Sequence, residues 1–170
     1  MPFTHPTHRF RTVEVTTPRD DGGTTPVNTS PSNHSGRATV VLVDPTAPDG
    51  TTSLDALSDA DDHVLLVVLT TGRASYALRE RAHELGTSVT SAAWSYLERL
   101  AVGISRPGRV VGTIVAAGPD PAFELATVVA EHPTDRIVLP SSAARTDRML
   151  SRRLARTTPV AVVSTALLSA

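Results

Sequence analysis

The 170-residue chain contains neither cysteine nor lysine. Without cysteine there are no disulfides, no thiolate nucleophile and no cysteine-based metal site. Without lysine, all 16 basic residues are arginine. That excludes a Walker A phosphate loop, a Schiff-base lysine and the lysine of a response-regulator receiver; the arginine preference reads either as a GC-rich coding bias or as a functional choice of arginine. Charge of either sign is also scarce in the balance. A formal net charge of −1 gives bulk electrostatics no bias toward nucleic acid or a membrane surface. No apolar run approaches the length of a membrane span. Residues 1–36 lack the apolar segment of a secretory signal, so a cytoplasmic location is expected.

What is present divides in two. Residues 1–36 are rich in proline, threonine, histidine and charge, and read as a disordered polar extension, although Phe10, Val13 and Val15 are compatible with a short strand or docking segment. Residues 37–170 read as one domain with a core of ordinary size.

Within the domain the pattern alternates. Residues 39–43 (T-V-V-L-V) form a short apolar strand ending at Asp44-Pro45. A short helix is expected over 54–60, a buried strand over 64–69, and helical periodicity from 74 to about 102. Gly86 and the Thr87–Ser91 run interrupt that periodicity, leaving a kink or two helices open. Residues 108–142 are one strand–helix–strand unit. Residues 109–116 are an apolar run of strand length. Asp120-Pro121 is an N-cap followed by a first-turn proline, with Glu124 placing an acid in that turn. Leu125, Val128, Val129 and His132 then recur at helical spacing until Pro133, and Ile137-Val138-Leu139 is the next strand. A helix over 145–156 and a last strand over 160–163 follow. Parallel strands joined by right-handed helical crossovers need both faces covered. The expected architecture is a three-layer α/β/α sandwich around a five-stranded parallel sheet.

The order and spacing of these segments resemble the universal stress protein family. Val41-Leu42-Val43-Asp44 looks like the family's first strand and its acidic turn. Gly118-Pro119-Asp120-Pro121 looks like the Gly-Asp-Pro helix opening with one residue inserted. Asp135-Arg136-Ile137-Val138-Leu139 resembles the fourth strand, and Pro159-Val160 the approach to the last. The resemblance covers about residues 38–163 and implies strand order 3-2-1-4-5. It departs where nucleotide-binding members carry a glycine-rich phosphate loop after the fourth strand. Here Leu139 is followed by Pro140-Ser141-Ser142-Ala143-Ala144, and residues 137–170 contain no glycine. Pro45-Thr46 also replaces Gly-Ser in the first turn. The resemblance therefore implies a divergent member in which ATP binding of the usual kind is not expected.

Candidate residues lie mainly at the carboxyl ends of the strands, where open α/β sheets bind ligands. Asp44 either faces a ligand, as the resemblance implies for a nucleotide base, or caps the turn before Pro45. Ser141 and Ser142, with Arg145, either offer hydroxyls and N–H groups to phosphates or simply cap the next helix. Arg145, Arg148, Arg152 and Arg156, spaced three, four and four, line one helix face opposite Ala143, Leu150 and Leu154. That stripe suits an anionic partner, either an acidic protein or a phosphate-bearing ligand, unless it is only solvated. Nucleic acid is disfavoured as a partner, and no membrane is expected. Val160 and Val162 in the last strand are expected at an apolar sheet edge that a second copy would cover, giving a homodimer. The histidines do not assemble: His5 and His8 lack further ligands, His63 follows Asp61-Asp62 at a strand start, and His83 and His132 lie in helices. Trp94, Tyr76 and Tyr96 fall at helical positions that suit core packing. No metal, nucleophile or general base is indicated.

Two functions follow as expectations. The first is a non-catalytic, universal-stress-like regulatory domain acting in the stress response through dimerisation and partner binding, without a cofactor. The alternative is a protein binding ATP or AMP through a rebuilt phosphate site.

Overall fold

The chain alternates strand and helix because its apolar residues switch between short continuous runs and stripes at helical spacing. The computed structural model describes residues 9–13, 36–47, 53–140 and 145–165. The elements are β1 (Arg9–Val13), β2 (Ala38–Leu42), β3 (His63–Leu69), α1 (Gly72–Glu84), α2 (Val89–Ile104), β4 (Val110–Ala116), α3 (Pro121–Glu131), β5 (Thr134–Leu139), α4 (Arg145–Thr157) and β6 (Ala161–Ser164).

The six strands form one sheet in the order β1-β4-β3-β2-β5-β6. The neighbours from β4 to β6 are all parallel. Numbered among themselves, these five strands follow the order 3-2-1-4-5, as expected. The sixth strand was not part of the expected sheet. It comes from within residues 1–36 and pairs antiparallel with β4, Arg9 opposite Val115 and Val13 opposite Val111. The rest of that extension lies outside the described residues.

Alternation along each strand feeds two cores. Val41, Val64, Leu66, Val68 and Val111 face α1 and α2, meeting Leu78, Trp94, Leu97 and Leu100. Val40, Leu65, Val67, Ile114 and Ile137 face the other way, against Leu125 and Val128 of α3 and Leu154 of α4. Leu97, Leu125 and Leu154 have no exposed surface, and truncating any one to alanine removes about 2–5 kcal/mol.

Local chemistry sets the boundaries. The long helical pattern is two helices. Gly86 adopts φ +60°, Thr87 N–H reaches Ala82 O at 2.9 Å and Gly86 N–H reaches His83 O at 3.2 Å, the two bonds of a Schellman C-cap. Ser88 then caps α2, accepting from Ser91 N–H at 3.1 Å. The helix expected over 54–60 is instead a single 3₁₀ turn over residues 53–56. Its continuation fails because Ser58 N–H is taken by Asp61 Oδ2 at 2.7 Å, a side-chain acceptor that competes with the helical carbonyl. α3 opens as expected: Asp120 Oδ1 accepts from Ala122 N–H at 3.1 Å and Phe123 N–H at 3.3 Å. β5 begins three residues earlier than the apolar run, because Arg136 pairs in register with Thr39 and Ala161. Trp94 is 6% and Tyr96 2% exposed, whereas Tyr76 stands 72% exposed rather than in the core.

The amino ends of the strands are tied by Asp61. Its carboxylate accepts from Thr39 Oγ1 at 2.6 Å on β2 and from Arg136 Nη2 at 2.6 Å on β5. Arg109, just before β4, donates to three main-chain carbonyls: Asp61 at 2.8 Å, Ser58 at 2.8 Å and Ile104 at 3.0 Å. Burial and the neighbouring Arg106 lower the Arg109 pKa from its ordinary value. This end is pinned; the opposite end is where the molecule opens.

Candidate functional site

At the carboxyl ends of the strands the sheet order reverses between β2 and β5. β3 and β4 continue to one side and β6 to the other, and such a switch point is where the chain leaves in opposite directions and a crevice forms. A cleft of ≈ 710 Å³ lies there, within the size range of small-molecule sites. Its floor is the ends of β2 and β3, Leu42, Val43 and Leu69, with Pro140 after β5. One wall is the first turn of α1, including Arg73. A second wall is the start of α3, and the third is the face of α4 carrying Met149, Leu150, Arg152, Arg153 and Arg156. The apolar residues exist because they close a core; the arginines exist because α4 is strongly two-sided.

The two helix openings differ. α3 is capped by Asp120. At α1 the N-cap Thr71 makes no side-chain cap; its hydroxyl donates instead to Gly118 O at 3.0 Å, tying the α1 entry to the loop before α3. A Cβ at Gly118 would overlap the side chain of Glu124, itself only 3% exposed, so a larger residue there fits only if that side chain gives way.

Asp44 sits on the rim. Its Oδ1 accepts from Thr46 N–H at 2.9 Å and from Thr46 Oγ1 at 2.7 Å, an Asx turn of the kind the Asp44-Pro45-Thr46 sequence permits. Its main-chain carbonyl accepts from Tyr96 Oη at 3.2 Å. Asp44 therefore lines the cleft and caps its own turn at once. Tyr96 is held from above, with the guanidinium carbons of Arg81 and Arg99 at 5.5 and 5.8 Å from its ring centroid, and burial together with the Asp44 charge pushes its pKa to about 12.

The sequence-derived candidates divide as follows. Arg152 and Arg156 line the cleft. Arg148 is exposed on the same helix and is not among the lining residues. Arg145 opens α4, with its side chain outside the described residues, as are Ser141 and Ser142. Val160 and Val162 are half-buried against the α3–α4 core, so what β6 offers at the sheet edge is backbone more than these side chains.

Sequence reasoning passed over Arg153. It falls off the three-four-four stripe, three residues from Leu150 and on the apolar flank, yet its Nη1 and Nη2 reach Asp120 Oδ1 at 3.1 Å and Oδ2 at 2.6 Å. Burial pushes the Asp120 carboxyl up, but the N–H donors of Phe123 and Ala122 and the Arg153 charge outweigh it and hold the pKa below the usual carboxylate value. The signal available in sequence was an N-cap acid whose second oxygen had no assigned donor. Arg73 and the open α1 entry were also missed, because the expected helix began at residue 74.

Among the described residues there is no group of histidine and acidic side chains arranged to hold a metal ion, and no helix long and apolar enough to cross a membrane. No protein-family model and no curated protein matches the chain. Two solved structures share its fold. A hypothetical protein, PH0823, superposes with a TM-score of 0.53 at 18% identity, over 75% of this chain and 94% of that one. A universal stress protein family protein from Arabidopsis thaliana, At3g01520, solved with AMP bound, superposes with a TM-score of 0.51 at 15% identity, over 74% of this chain and 90% of that one. The chain is thus an α/β protein with a universal-stress-protein-like fold.

Proposed function

We propose that this domain is a non-catalytic regulatory unit whose cleft binds an anionic small molecule of the nucleotide class, ATP or AMP, with arginine in place of a glycine-rich phosphate loop. The observation that carries this reading is the cleft at the switch point, apolar on its floor and walled by Arg73, Arg152, Arg153 and Arg156. An apolar floor suits a base or other flat ring, and guanidinium forks suit phosphate oxygens. A neighbour of the same fold was solved with AMP bound, which supports the class of ligand. Among the described residues, the cleft's polar side chains are arginines, Thr71 and two carboxylates engaged in a turn and an ion pair. That set is suited to holding an anion, as the proposed ligand class requires.

The test is thermal unfolding with ATP, AMP and cyclic nucleotides, on the parent chain and on Arg152→Glu and Arg156→Glu. A ligand at a hundred times its Kd raises stability by about 2.7 kcal/mol. The expected result is a shift with at least one nucleotide that shrinks in both variants. No shift with any of them overturns the reading.

A dimer through β6 is a second proposal, for partner binding. It is favoured by β6 lying at the end of the described sheet and pairing with β5 on one side, since an open strand edge is a template for another chain. Light scattering that finds a monomer at micromolar concentration counts against it.

A further inference from the structure

The other end of the sheet carries a different device. β4 (V-V-G-T-I-V-A) is a seven-residue apolar strand, and an uncovered strand of that kind is an association hazard. It is covered by β1 through antiparallel pairing over Val111–Val115, the sheet's single departure from parallel order among the described strands. β4 is its main neighbour among the described elements. Its attachment includes an antiparallel ladder at the edge of the described sheet, and no tight hairpin fixes it to that neighbour.

The chain between the two strands is long. Residues 14–37, 24 in number, separate the end of β1 from the start of β2. In the sheet order β1-β4-β3-β2 those strands are three positions apart, about 14 Å at the usual strand spacing. A segment of this length reaches about 80 Å when extended. The domain it serves, at roughly 130 residues, has a radius of gyration near ~14 Å. At full extension a segment of this length exceeds by several-fold the separation that pairing within one chain must cover, and it is long enough to reach a neighbouring molecule.

We propose that the β4 edge is a strand-accepting surface shared between copies of this chain, on which Arg9–Val13 of a second copy takes the place of the chain's own segment. Both arrangements make the same β1–β4 ladder, so the balance between them is set by concentration and by the tether. A tethered strand meets its own edge at an effective concentration of order mM, so single chains dominate in dilute solution and exchanged dimers grow as the protein is concentrated or gathered locally. Reciprocal exchange gives a closed twofold dimer. This contact lies at the opposite edge of the sheet from β6 and is independent of the cleft.

The absence of cysteine makes the test clean. Two full-length variants are prepared, Thr12→Cys with Gly112→Cys, and Arg11→Cys with Thr113→Cys; each joins residues directly opposite in the register. Successive opposite pairs alternate between wide and close Cα spacing in an antiparallel ladder, so one variant presents the geometry a disulfide needs. Each is equilibrated in a glutathione buffer over a range of concentrations and read on a non-reducing gel. The expected result is a covalent dimer whose ratio to crosslinked monomer rises about tenfold for each tenfold increase in protein, by mass action. A crosslink confined to one chain at every concentration, or no crosslink in either variant, overturns the proposal. Loss of nucleotide binding would leave this result untouched, and the reverse holds equally.

Discussion

Arg153 grips Asp120 with both terminal nitrogens, Nη1 on Oδ1 at 3.1 Å and Nη2 on Oδ2 at 2.6 Å, while Oδ1 also caps α3. One carboxylate thus joins the start of α3 to the middle of α4 across the cleft wall. Asp120→Asn keeps a good capping side chain and loses the charge pair; Asp120→Ala loses both. Stability is expected to fall in the order parent, Asn, Ala in urea titration. Because the folded pKa of Asp120 is depressed, its contribution is complete above the unfolded value of about 3.9 and disappears as pH falls through the lower folded value. The parent's advantage over Asp120→Asn should vanish in that acid window, and an advantage unchanged there contradicts the assignment.

Asp61 is the corresponding hub at the other end of the strands. Burial raises its pKa, but hydrogen bonds from Thr39 and Ser58 and the Arg136 charge outweigh it and leave the pKa below the ordinary value. Its side chain is 10% exposed and that of Arg136 30%. Asp61→Ala leaves the guanidinium half-buried without its carboxylate and should cost about 3 kcal/mol, somewhat under a fully buried pair. The Asp61 contribution is present above an unfolded pKa of about 3.9 and is lost as pH drops through the depressed value. Chemical denaturation of parent and variant at neutral and acid pH measures both effects; equal stability at neutral pH would show the pair to be idle.

Gly86 holds φ +60° at the junction of α1 and α2. An L-residue there carries a penalty of about 1–2 kcal/mol, less for asparagine. Gly86→Ala should therefore lower the urea midpoint more than Gly86→Asn. No atom lies within 4 Å of a Cβ at this position, so a cost seen for alanine reports backbone conformation and not a clash.

Tyr96 donates to the Asp44 carbonyl from beneath two guanidinium groups. With its pKa raised to about 12, its stabilising contribution is complete below the unfolded value of about 10 and is lost as pH climbs through the folded value. Tyrosinate absorbance should show a titration near the raised value that is missing in Tyr96→Phe. The same variant removes one hydrogen bond and should cost about 1 kcal/mol at neutral pH. A tyrosinate transition at the unperturbed value in the folded parent would contradict the burial.

The sheet was legible in the sequence because its signals are local. Continuous runs such as residues 64–69 mark strands buried on both faces, and Asp120-Pro121 marks a helix start that the structure reproduces to the residue. What escaped was decided by partners distant in sequence. β1 pairs with β4, which lies far along the chain. The early start of β5 depends on Thr39 and Ala161 beside Arg136. Asp61 stopped a helix by capturing the Ser58 amide. In the cleft, Asp44, Arg152 and Arg156 were found from strand ends and helical spacing. Arg153 was not, because its partner lies 33 residues away and no periodicity records that distance.

The cleft draws its walls from opposite sides of the sheet. The first turn of α1 belongs to the layer packed on Val41 and Leu66, while α3 and α4 belong to the layer packed on Val40 and Leu65. A molecule seated there would act as a rivet between layers that otherwise meet through the sheet and through the Thr71–Gly118 hydrogen bond. Its binding energy would be withdrawn by any partial opening that peels α4 or α1 away, not just by complete unfolding. Amide exchange in these two helices, far apart in sequence, should then slow together on saturation.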